Sequence, residues 1–167
     1  MQNDTAATSP ETPGETPAET PTDTARRLIE QNTYLTLATA DADGRPWASP
    51  VWFAARGLSE FYWVSRIVRR HSRNLEVRPE VALVVFDSTA PVGRAEALNV
   101  DAVAGQVDDA DLAAALAVYS GRSVDRGLPP WDEAAVTGDA PHRLYVARAT
   151  DVFVLDETEG RVSVPMR

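Results

Sequence analysis

Lysine and cysteine are both absent from the 167 residues, and histidine occurs only twice, at positions 71 and 142. Without cysteine there are no disulfides and no thiolate metal sites, so the chain needs no oxidising compartment. Without lysine there is no Schiff-base or lysine general-base chemistry. Two histidines with no HxxH or HxxxH spacing offer no ready zinc site. No apolar run approaches the length of a membrane span. The N-terminus lacks the basic and apolar regions of a signal peptide, so a cytoplasmic location is expected. All sixteen cationic side chains are arginine, against twenty-five acids, for a formal charge of −9. That balance argues against general nucleic-acid binding, which relies on a broad cationic surface.

Hydrophobic residues make up 44% of the chain, enough for one globular domain with a core of its own. Residues 1–21 read as a tail, because "ETPGETPAETPT" repeats proline every four residues and offers nothing to bury. The domain is expected over 22–167. A short helix capped by Thr22 or Thr24 carries Leu28 and Ile29 on its apolar edge. Period-two patterns then mark strands over 34–40, 47–55 and 60–65. Asp43-Gly44 supplies a hairpin turn, Pro50 signals an edge strand, and the three strands read as a meander. Further strands are expected over 81–87, 97–107 and 144–156, with a last one after "ETEG". A helix over 108–122 presents Leu112, Leu116 and Tyr119 and stops at Gly121. The connections are too short for parallel crossovers. The expected fold is therefore mainly β (α+β), a six- to seven-stranded antiparallel barrel with peripheral short helices.

The segment "SRIVRRHSRNLEVRPE", residues 65–80, concentrates four arginines and His71 between positions 66 and 73. Read as a helix ending before Pro79, it places Arg66, Arg70 and Arg73 on one side, with Ile67 and Leu75 anchoring the other. A helix N-terminus and guanidinium forks together suit a phosphate, and Ser65 can add a hydroxyl donor. The same pattern also suits a solvated face whose arginines pair with nearby acids. Phe61-Tyr62-Trp63 reads as packing, Trp131 as an anchor for its loop, and His142 as a structural histidine.

The order "YLTLATADADGRPWASPVWFAA", "FYWVS", "RRHSRNLEVRPEVALVVFD" resembles the pyridoxamine 5′-phosphate oxidase-like family of flavin-binding split barrels, over about residues 25–160. The resemblance implies a homodimer with FMN at its interface. It lays Ser49, Pro50, Val51 and Trp52 against the flavin ring and brings Val64 and Ser65 to the ribityl-phosphate. It matches Arg70 and His71 to the family's Arg-Lys phosphate pair, with Arg66, Arg69 and Arg73 nearby to compensate for the histidine. The family's vitamin B6 oxidase carries a C-terminal Arg-x-His motif. This chain ends "RVSVPMR", which argues against pyridoxine or pyridoxamine phosphate as substrate.

The resulting expectation is an FMN-dependent oxidoreductase acting on a small organic substrate, with the redox chemistry supplied by the cofactor. No metal site, membrane contact or nucleic-acid partner is expected. Three alternatives stay open: a reductase using the deazaflavin F420, a non-catalytic flavin- or haem-binding protein, and, least favoured by the net charge, a binder of an acidic partner or nucleic acid through the arginine helix.

Overall fold

The computed structural model describes residues 19–155 and 160–166. Residues 1–18 of the expected tail and residues 157–159 of the "ETEG" turn fall outside them, whereas Pro21, expected in the tail, opens the first helix. Helix α1 (Pro21–Gln31) leads into strands β1 (Tyr34–Ala40), β2 (Pro46–Trp52), β3 (Ala54–Arg56) and β4 (Glu60–Arg66). Helix α2 (Arg70–Val77), strands β5 (Glu80–Phe86) and β6 (Ala97–Gln106), and helix α3 (Asp109–Asp125) follow. A 3-10 turn (Glu133–Ala135), β7 (His142–Leu155) and β8 (Arg161–Ser163) complete the described chain.

All pairings are antiparallel, in the order β2-β1-β5-β6-β7-β4-β3, with β8 on the far end of β7. The chain runs from β2 to β3 through one residue, Phe53, yet those strands end the hydrogen-bonded path on opposite sides. Six strand spacings in a flat sheet would separate them by roughly 29 Å, whereas one intervening residue spans at most about 7 Å. The sheet must therefore curl until its ends meet, as a split barrel. This corrects the expected three-stranded meander. β2 pairs only with β1, whereas the strand after Gly57 pairs with β3 and β7. The strand expected over 47–55 is thus two strands broken at Phe53. Pro50 does sit on an edge strand, where a residue without an N–H is tolerated.

Alternation then sorts the side chains. Leu35, Leu37, Phe61, Trp63, Leu83, Val85, Leu98 and Val100 fill the interior. Tyr62 and Val146 face the other way and pack beneath Leu112, Leu116 and Tyr119 of α3. These aromatic and aliphatic residues behave as the sequence indicates.

Three boundaries differ from their local signals. The cap of α1 is Thr20, not Thr22 or Thr24. Its hydroxyl accepts from the Asp23 amide at 3.2 Å, and the Asp23 carboxylate accepts from the Thr20 hydroxyl at 2.6 Å. Pro21 at the first helical position already has a suitable φ. Second, α3 runs through Gly121 to Asp125, and Gly127 (φ 71°) is the residue in the left-handed region. A glycine within a helix costs about 1 kcal/mol, which contacts further along outweigh. Arg122 donates to the Ile29 and Asn32 carbonyls at 2.7 and 3.0 Å, and Arg126 donates to the Glu30 carbonyl. These arginines tie the end of α1 to α3, and Arg122 also lies over the Phe53 ring at 5.2 Å. Arg122→Ala is expected to lower stability by about 2–3 kcal/mol, the scale of charged hydrogen bonds lost from a largely buried group. A shifted urea midpoint with an unchanged slope would record it.

Third, α2 begins at Arg70 rather than at Arg66. The β4–β7 ladder continues through Ser65↔Arg143 to Arg66↔His142, so Ser65 and Arg66 belong to the strand. Arg66 therefore does not share a helix face with Arg70 and Arg73. Ile67 is 38% exposed in the connecting turn and anchors nothing, whereas Leu75 is buried as expected.

Candidate functional site

Between β2 and β4 the barrel is open. The two strands approach each other, but β2 is laddered only to β1, and β4 beyond Tyr62 only to β7. Two free strand edges thus face one another across a split. His71, in the first turn of α2, closes it through its side chain. One ring nitrogen, Nε2, lies 2.7 Å from the Ser65 hydroxyl of β4, and the other, Nδ1, lies 3.1 Å from the Ser49 hydroxyl of β2. Both serines are buried. Burial, aided by the Arg69 guanidinium, holds the imidazole below its ordinary pKa and favours the neutral ring.

Among the described residues most buried polar side chains gather at this end. Of the six buried polar side chains among the described residues, five (Thr39, Ser49, Ser65, Ser72 and Asn74) lie in or beneath α2. Asn74 donates to the Thr39 hydroxyl at 2.9 Å, and Ser72 donates to the Arg66 carbonyl at 2.9 Å. These bonds fix the helix on the barrel mouth without spending any arginine. Deeper in, Trp63 and Tyr145 stack with centroids 5.7 Å apart, and neither the indole Nε1 nor the phenol hydroxyl has a hydrogen-bond partner among the described residues.

The arginines stay outside. Arg70 Cζ lies over the Trp47 ring, 4.7 Å from its centroid, and the guanidinium reaches Asp41 Oδ2 at a long 3.5 Å. Asp41 is itself fixed, because its carboxylate accepts from the Asp43 and Arg45 amides of the β1–β2 turn. Arg66, Arg69 and Arg73 are exposed and form no ion pair among the described residues. In a chain of charge −9, three unpaired guanidinia beside a partly paired fourth leave a local cationic site.

The candidate residues thus fall into two groups flanking one split. Ser49, Val51, Ser65 and His71 line its inner side, with Val51 in the core. Pro50 is exposed on the outer face of β2, and Trp52 and Val64 pack with the cluster under α3. Trp52 meets Tyr119 edge-on at 4.8 Å, and burial pushes the Tyr119 phenol up to about 12. Arg70 and Arg73 stand on α2, and Arg66 ends β4. Trp131 is pinned by two bonds to Ser120 and touches His142 edge-on at 5.7 Å, as a loop anchor would.

Asp41 and Trp47 escaped the sequence reading. Both come from the first hairpin, and only the placement of α2 over that hairpin brings them to Arg70. Among the described residues no cluster of three or more metal-ligating side chains is present, and no helix is long and apolar enough to cross a membrane.

This donor set fits FMN: unpaired guanidinia for a phosphate, hydroxyls and free strand-edge amides for the polar rim of a flat ring. Haem fits less readily. Both nitrogens of His71 are engaged, which leaves His142 as the imidazole without a hydrogen-bonded nitrogen among the described residues.

Comparison with known proteins gives the relationship. The haem oxygenase HutZ of Vibrio cholerae is 37% identical over 82 residues, 47% of this chain and 46% of HutZ. The chain therefore spans about half the length of that curated relative. The crystal structure of HutZ, described as a haem storage protein, superposes with a TM-score of 0.60 at 26% identity, covering 77% of this chain and 90% of HutZ. A haem-binding protein from Mycobacterium smegmatis gives a TM-score of 0.68 at 20% identity over 86% of this chain and 57% of that one, a likeness of fold. An F420 reductase gives 0.54 at 26% identity over 76% and 94%. The family model described as pyridoxamine 5′-phosphate oxidase matches residues 21–156, and the chain belongs to that family.

Proposed function

We propose that the protein is a cytoplasmic FMN-dependent oxidoreductase that acts on a small organic substrate. The observation that carries this reading is the set of unpaired arginines at the mouth of the split, beside two free strand edges. Arg70, with Arg66, Arg69 and Arg73, holds the phosphate. Ser49, Pro50, Val51 and Trp52 lie along the ring, and Val64 and Ser65 meet the ribityl chain. Bound FMN supplies hydride transfer, and the protein supplies orientation and a water-poor setting.

FMN and riboflavin separate the reading from simple hydrophobic uptake, because they differ by the phosphate alone. FMN should bind on the order of 100-fold more tightly in a fluorescence titration, the scale of one or two charge-assisted hydrogen bonds. Equal affinity would remove the phosphate site.

The protein acts as a homodimer in this reading. The outer face of β1, β2 and β5 carries Tyr34, Thr36, Ala38, Ala48, Pro50, Ala82, Val84 and Phe86 in cross-strand register. Tyr34 is 58% exposed and Phe86 44%, on a face whose only charge within β1, β2 and β5 is Glu80, at its rim. A second copy would cover this face and shelter the ring. Light scattering should give twice the chain mass, and Phe86→Glu should return the monomer.

A second reading is haem binding, favoured by HutZ, the curated relative named as a haem oxygenase. The same guanidinia would pair with haem propionates, and His142 would be the candidate axial ligand. A Soret shift on adding haemin that disappears in His142→Ala would support it. F420 stays a candidate for the ring, and titration with F420 tests it directly.

A further inference from the structure

The neutral His71 ring between two hydroxyls has a property that a lysine at that place would lack. A neutral imidazole has one N–H and one bare nitrogen. It therefore donates to one serine and accepts from the other. With the proton on Nδ1, His71 donates to Ser49, and the Ser49 hydroxyl proton is free to point into the split. With the proton on Nε2, His71 accepts from Ser49, which then offers only lone pairs. The tautomer of His71 sets whether β2 presents a donor or an acceptor at the ligand.

We propose that Ser65, His71 and Ser49 form a proton relay that serves the ligand edge lying along β2. This rests on the FMN reading above. The transfer balances without outside reagents other than solvent and the ligand. Bound FMN would supply the proton acceptor, and the Ser49 hydroxyl on β2 would be the group that gives up its proton to it. Ser49 takes the Nδ1 proton, Nε2 takes the Ser65 proton, and Ser65 is recharged by water at the mouth of the split. One proton enters and one leaves, no charge accumulates on the chain, and the ring ends in the other tautomer. Oxidation of the cofactor runs the same steps in reverse.

Three observations support this assignment over a merely structural clasp. Both nitrogens are engaged, at 2.7 and 3.1 Å, by groups that can each donate or accept. Both serines are largely buried, so solvent can meet the chain at its outer end but does not compete along it. Burial and Arg69 favour the neutral ring, the form able to exchange tautomers. His71 touches the cofactor only through Ser49, so it is a positioning and relay residue.

Glutamine can hold the two hydroxyls with one donor and one acceptor but cannot exchange tautomers, which makes His71→Gln the informative variant. The first readout needs no cofactor. Long-range nitrogen NMR of the free protein, with His142→Asn for assignment, should show His71 neutral and exchanging between tautomers. An imidazolium or a single fixed tautomer would overturn the relay. The second readout loads wild type and His71→Gln with FMN, reduces them with dithionite, and follows proton uptake with a pH indicator in stopped flow. At FMN concentrations that saturate each protein, His71→Gln should take up the proton at least tenfold more slowly than wild type, with a larger solvent isotope effect. Equal uptake rates in two FMN-retaining proteins would overturn the relay and leave the cofactor site standing. Failure of the wild type to retain FMN would overturn both.

Discussion

Arg70→Ala should weaken FMN binding by roughly 10- to 100-fold, the equivalent of about 1.5–3 kcal/mol for charged hydrogen bonds to a phosphate. Several features make Arg70 the most consequential of the four arginines. It opens α2, where unpaired backbone amides add to the field an anion meets. Its guanidinium is held over the Trp47 ring, so little freedom is lost when the phosphate arrives. Its ion pair with Asp41 is long and partly exposed, so it opposes binding weakly. Arg27→Ala is the matched control. Arg27 is tied to Glu19 and Glu96 at the end of α1 distant in sequence from the split, and its loss should leave FMN affinity unchanged. Arg70→Lys keeps the charge but loses the planar stack and fork, and should fall between wild type and alanine. Flavin fluorescence titrations at two salt concentrations measure all three. Equal losses for Arg70→Ala and Arg27→Ala would contradict the assignment.

The largest stability effect is expected at Phe53. This fully buried residue carries the chain from one end of the sheet to the other. Its ring packs against Phe61 at 6.3 Å and beneath the Arg122 guanidinium at 5.2 Å. Removing it opens a cavity where β2, β3 and the α1–α3 clamp converge. Phe53→Ala is expected to cost about 3–5 kcal/mol, as buried phenylalanine truncations do, and urea unfolding reads it directly. It should also weaken FMN binding, because the split between β2 and β4 is held to width from this residue. Phe53→Leu, which keeps most of the volume, should recover most of both losses. A Phe53→Ala protein of wild-type stability would show that the barrel does not close through this crossing.

Much of the fold was legible in local pattern. Alternation in "YLTLATA" and "VALVVFD", the Asp43-Gly44 turn and the apolar stripe of α3 report contacts that each segment makes with its own face. The misplaced features are those decided by distant partners. Gly121 and Gly127 look alike as helix stops, and only the clamp of Arg122 and Arg126 on α1 carries the helix to the second. Arg66 reads as helical from its neighbours, but the ladder to His142 holds it in β4. The third strand does form a hairpin with the end of the expected second strand, at Ala54–Arg56, and only barrel closure lays its other edge on β7.

The site divides in the same way. The concentration of arginine at 66–73 is visible in the sequence because charge clustering is local. That His71 turns inward to two serines on strands not laddered to each other is not visible, since Ser49 and Ser65 meet it only once the sheet has curled. Asp41 and Trp47 were missed for the same reason. Both lie in an ordinary hairpin until α2 is laid across it.

The absorption spectrum of the protein after incubation with FMN and removal of the excess decides whether the split holds the cofactor. Retained flavin bands, one FMN per chain, are expected, and they should disappear in Arg70→Ala. A colourless wild-type protein under the same conditions would mean that the arginines at the split hold no FMN phosphate.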